Sequence, residues 1–108
     1  MPVSDEFLEY ILDQLSAWGE VRAKRMFGGA GLYCQGTMFS LIADDVLYLK
    51  VGDANRSDFE AAGSKPFRPY PEKKTIMPYW EIPEDVLEDR DALAQWANKA
   101  LAVAQQGK

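Results

Sequence analysis

The sequence predicts an α+β domain in which a helix near each end of the chain packs on an antiparallel sheet drawn from its middle. Three observations carry that reading. Apolar residues recur at helical spacing near both termini, and short β-type runs separated by two-residue turn signals fill the interval between them. The chain has 108 residues, 47% of them apolar, enough for one core but not two. We expect a single domain over residues 1–108. Its sheet should have about five to six strands, packed with an N-terminal helix, a short middle helix and a C-terminal helix.

Taken in order, Ser4 can cap a first helix whose opening turn carries Asp5 and Glu6, matched to the positive end of the helix dipole. Phe7, Leu8, Ile11, Leu12, Leu15 and Trp18 form its inner stripe, and Gly19 offers a left-handed stop. From Val21 to Val51 the runs VRAKRMF, GLYC, MFSLIA and VLYLKV read as a meander of antiparallel strands. Gln35-Gly36 and Asp44-Asp45 stand where hairpin turns are needed. A short helix follows, capped by Asp53 and closed by Gly63, with Phe59 turned inward. Pro66, Pro69 and Pro71 keep KPFRPYP extended, and TIMPYWEIP reads as a further strand, with Pro78 marking an edge or bulge. Pro83-Glu84-Asp85 opens the last helical segment, and Asp89 can cap a longer helix to about Ala104.

Parity then sets the two faces of the sheet. If Asp44-Asp45 is a two-residue loop, Ile42 pairs with Leu47, Ser40 with Leu49 and Met38 with Val51, all on the face that meets the helices. The opposite face carries Phe39, Leu41, Val46 and Tyr48, joined by Tyr33 if the preceding turn has three residues. Strands apolar on both sides signal cover on both sides. Each large side chain left bare forgoes ~1.5–3 kcal/mol of burial, so something is expected over the second face: the chain's own helices, a second copy, or another partner.

Composition excludes several classes of function. There is no histidine, which removes the usual general base near neutral pH and the commonest metal ligand. The one cysteine, Cys34, can form no internal disulfide and no zinc, haem or iron–sulfur site, so no cofactor is expected and the cytoplasm is the expected compartment. The opening MPVSDEFLEYILD lacks the pattern of a secretion signal, and no apolar run approaches the ~18 residues of a membrane span. The net charge of −5 opposes bulk attraction to polyanions.

The candidate motifs read mostly as structure. The glycines of Phe27-Gly28-Gly29-Ala30-Gly31 precede a strand rather than a helix, which makes them a turn or bulge instead of a phosphate cradle. The acidic residues from Glu81 to Asp91 dress a helix start without calcium-loop spacing. No catalytic residue is expected. Two contact surfaces stand out. One is apolar and aromatic: Tyr33, Phe39, Leu41, Tyr48, Tyr79 and Trp80. The other is basic, through Arg22, Lys24, Arg25, Arg68, Lys73 and Lys74, and with Phe67, Tyr70, Tyr79 and Trp80 nearby it could hold a nucleic-acid strand.

Arg25-Met26-Phe27-Gly28-Gly29-Ala30-Gly31-Leu32-Tyr33, Gly36-Thr37-Met38-Phe39 and Leu47-Tyr48-Leu49-Lys50-Val51 together resemble the N-terminal domain of the TfoX (Sxy) family of competence regulators. Arg56, Phe59-Glu60, Gly63, Pro66-Phe67, Tyr79-Trp80-Glu81, Pro83 and the helix with Leu93 and Trp96-Ala97 continue the likeness in order. The resemblance implies a bacterial, cytoplasmic, non-enzymatic α+β domain tied to transcriptional control of DNA uptake, here as a stand-alone form. It implies a protein partner such as a transcription regulator, with a homodimer or a nucleic-acid contact as further expectations.

Overall fold

The chain starts its first helix where a capping residue stands: in the computed structural model, which describes residues 4–26, 29–67 and 78–106, the Phe7 N–H donates to Ser4 Oγ at 3.2 Å. Helix α1 spans Asp5–Leu15 and ends in a turn over Ser16–Trp18, shorter than its apolar stripe suggested. Gly19 follows without a positive φ, so it is not the left-handed stop expected of it.

Strands β1 (Arg22–Met26), β2 (Gly29–Cys34), β3 (Thr37–Ala43) and β4 (Val46–Lys50) form the meander, and β5 (Tyr79–Glu81) completes an antiparallel sheet in the order β1-β2-β3-β4-β5. Both hairpins turn where the two-residue signals stand. Gln35 and Gly36 take φ of 55° and 77°, Asp44 and Asp45 take 57° and 58°, the two positive values a type I′ turn requires. Pro66 bridges Trp80 outside β5, with Phe67 N–H donating to Tyr79 O and Glu81 N–H to Lys65 O, so residues 65–67 add a short extended piece beyond that edge. Gly29 and Gly31 lie within β2 rather than in a turn. A Cβ on Gly29 would collide with the Ile42 carbonyl oxygen, which makes glycine a requirement of strand approach there.

Helix α2 spans Arg56–Ala61, three residues beyond the expected Asp53 cap. Buried Asn55 sits in that place instead: its Oδ1 accepts from Gly52 N–H and its Nδ2 donates to Lys50 O, tying the end of β4 to the helix start. Helix α3 covers Glu84–Glu88 and α4 covers Arg90–Gln106, with Asp89 Oδ1 accepting from the N–H groups of Asp91 and Ala92 as the expected cap.

The core lies on one side of the sheet only. Ile11 and Leu15 of α1, Phe59 of α2, and Leu93, Ala97, Ala100, Leu101 and Ala104 of α4 pack against Ala30, Leu32, Cys34, Ile42, Leu47 and Leu49. Arg90 of α4 donates to Asp13 and Gln14 of α1, closing the helix layer. Among the described residues no helix is long and apolar enough to cross a membrane.

Two expectations about the faces of the sheet are overturned, those for Phe39 and Met38. Phe39 was expected on the second face, yet it is 0% exposed and its ring lies 5.2 Å from that of Trp18, on the helix side. The cause is a break in register: Leu32 pairs with Ser40 while Tyr33 pairs with Met38, so Phe39 is the extra residue of a bulge in β3. Phe39 and Ser40 both turn inward, and Met38, expected under the helices, moves to the opposite face. The predicted pairs Ile42–Leu47 and Ser40–Leu49 stand as expected, beyond the bulge.

Candidate interaction surface

The second face of the sheet is assembled from residues whose parity opposes the core. One row crosses all five strands: Lys24, Gly31, Leu41, Tyr48 and Glu81 are successive Cα partners. A neighbouring set holds Arg22, Tyr33 and Met38 on β1 to β3, with Lys50 and Tyr79 on β4 and β5. None of these belongs to the buried cluster shared with the helices. Tyr33, Met38, Val46 and Tyr48 are half-buried, while Arg22, Lys24 and Glu81 are exposed.

Among the described residues no helix lies over this face. Among the described contacts on it, the Phe67 ring packs 4.8 Å from Tyr48 and the Lys50 ammonium stands 5.2 Å above the Tyr79 ring. Leu41 and Tyr79 are buried at 9% and 6% exposure without being part of the main core. The environment acts on the phenols. Burial first, then the charges of Glu81 and Asp44, push the Tyr48 pKa up, and burial followed by Tyr33 does the same to Tyr79. Both phenols are thus held in their neutral form at ordinary pH.

The sequence-predicted aromatic set is therefore divided. Tyr33, Leu41, Tyr48 and Tyr79 come together on the second face; Phe39 goes to the core, and Trp80 turns to the helix side, its ring 6.4 Å from Phe59. The basic set divides too. Arg22 and Lys24 share the second face, but Arg25 has the opposite parity and bonds Asp5 of α1. Arg68, Tyr70, Lys73 and Lys74 lie outside the described residues. Sequence reasoning missed Met38, Lys50, Phe67 and Glu81 as members of this face. Lys50 and Glu81 were within reach of simple alternation from Tyr48 and Tyr79; Met38 was not, because nothing local announces the bulge.

Elsewhere the chemistry is sparse. A cavity of about 430 Å³ beside Trp18, Glu20, Asn98 and Leu101 includes Cys34, whose thiol is pushed up in pKa by burial and then by Glu20. It is held in its unreactive protonated form. Among the described residues no three histidine, cysteine or carboxylate side chains are grouped to hold a metal ion.

Comparison with known proteins places these features in a family. The family model described as the TfoX N-terminal domain matches residues 13–104. The DNA transformation protein TfoX1 of Aliivibrio fischeri (strain ATCC 700601 / ES114) is 35% identical over 68 residues, which cover 61% of this chain and 32% of that protein. The chain thus matches about a third of that relative's length.

Proposed function

Because this chain belongs to the TfoX N-terminal domain family, we propose that it is a non-catalytic regulatory module of DNA transformation that works by protein contact through the second face of its sheet. The observation that supports this most is a sheet face bearing Tyr33, Met38, Leu41, Val46 and Tyr48 on the side away from every described helix. An apolar centre ringed by charged groups is the anatomy of a protein interface. Such a module acts in the bacterial cytoplasm, and its link to competence genes runs through a transcription regulator in the assembly.

Direct nucleic-acid binding is the weaker reading because, among the described basic candidates, Arg25 does not share the face of Arg22 and Lys24. Arg25 is engaged with α1, and the second face carries Glu81 among its cations.

Met38→Glu tests the proposal in the native cell. It puts a charge on the contact face at a half-buried position, so melting should shift by no more than about 1 kcal/mol of stability. Transcripts of DNA-uptake genes should drop toward the level of a deletion. Unchanged transcripts at unchanged protein abundance would reject the reading.

A further inference from the structure

We propose that the edge of the sheet along β1 is a further docking site, where an extended acidic segment of a partner protein adds as another strand. In the order β1-β2-β3-β4-β5, β1 has β2 as its one described neighbour, whereas the opposite edge is extended beyond β5 by Pro66 and Phe67. Alternate residues of an edge strand direct their N–H and C=O groups away from the sheet, and an added strand pairs with these. Arg22, Ala23, Lys24 and Arg25 are all exposed. Ala23 belongs to the helix side by parity, so its exposure means that the helix layer stops short of this edge.

Charge selects the occupant. β1 reads RAKRM, three cations in five residues, within a chain whose net charge is −5. Arg25 is engaged by Asp5. Arg22 has Glu20 at 3.6 Å with both side chains 83% exposed, a contact that solvent screens and that a partner's carboxylate can displace. In an added strand the residues opposite Arg22 and Lys24 stand two apart and share their face. The segment that fits therefore carries aspartate or glutamate at alternate positions, with a small apolar residue between them over exposed Ala23. A second copy of β1 does not fit, because antiparallel pairing sets the cations of one copy against those of the other. A nucleic acid meets the cations, but its phosphates bring no regular donor to the outward carbonyls, and the net charge of −5 opposes its approach. An acidic strand satisfies the cations, the N–H groups and the carbonyls together.

The test adds a short capped peptide of alternating glutamate and valine to the whole chain, read by NMR titration and amide hydrogen exchange. The outward amides of β1 should gain protection. Arg22→Glu or Lys24→Glu alone should weaken binding by about threefold or more, and the double variant by about tenfold or more. The double variant should instead take up a lysine–valine peptide, which also shows that it is folded. N-methylating the glutamate peptide throughout keeps its charge but removes its backbone donors, and should abolish binding. Unprotected β1 amides, undiminished binding of the N-methylated peptide, or a double variant that holds the glutamate peptide like wild type would overturn the proposal. So would a double variant with an intact melting transition that takes neither peptide. β1 amides already protected in a dimer of the chain alone, or protected more strongly by a thymidine oligonucleotide than by the peptide, would overturn it in favour of those occupants. The edge stands or falls apart from the second face. Peptide binding with unchanged Met38→Glu transcripts keeps the edge and rejects the face, and the reverse result rejects the edge alone.

Discussion

At the scale of residues, burial separates side chains that sequence alone groups together. Phe39 and Tyr33 both read as aromatic strand residues, yet one is sealed beneath Trp18 and the other stands half-exposed on the far face. Phe39→Ala should therefore cost about 3–5 kcal/mol in denaturant unfolding, and Tyr33→Ser far less. The tyrosines of the second face also set an alkaline limit. Tyr48 and Tyr79 both have pKa values raised above the ordinary 10.0, so folding favours their neutral forms. Their contribution is complete below that ordinary value and is lost as pH rises through the higher folded-state values. Thermal melts should fall above about pH 10, and a Tyr48→Phe, Tyr79→Phe double variant should fall less steeply. These burial differences were not legible residue by residue, because one bulge decides them and leaves no mark in local composition.

At the scale of elements, the turns and caps were legible and the helix limits were not. Gln35-Gly36 and Asp44-Asp45 announced their hairpins, since few residues tolerate two successive positive φ values. Ser4 and Asp89 likewise act as the caps their side chains suggested. Asp53 failed as a cap because Asn55, two residues on, can bind both Gly52 N–H and Lys50 O and so anchors the turn from inside. Asn55→Ala should leave those groups unpaired at a buried site, costing about 1–3 kcal/mol in chemical denaturation. Gly29→Ala should be worse tolerated than Gly36→Ala. The first drives a methyl into the Ile42 carbonyl of the neighbouring strand, whereas the second meets nothing within 4 Å and incurs only the strain of its positive φ. Hydrogen exchange of the β2–β3 amides would register the difference.

At the scale of the molecule, the fold puts different chemistry on its two sides. The helix layer holds most of the described acidic groups and neutralises part of its charge with Arg25–Asp5, Arg90–Asp13 and Lys99–Asp58. The second face keeps Lys24 and Lys50 beside aromatic and apolar side chains. Two-sided apolarity in β3 and β4 was legible from the sequence, and Leu41 and Tyr48 do pair on the face opposite the main core. Which residues occupy that face was only partly legible, because parity past Phe39 depends on pairing with a strand several residues away. Whether this surface is covered in the working protein is the central question, and side-chain oxidative footprinting answers it most directly. Tyr33 and Met38 should react less in the native cell than in dilute purified protein. Tyr10, 40% exposed on α1, should react alike in both. Equal reactivity of Tyr33 and Met38 in the two settings would contradict the account.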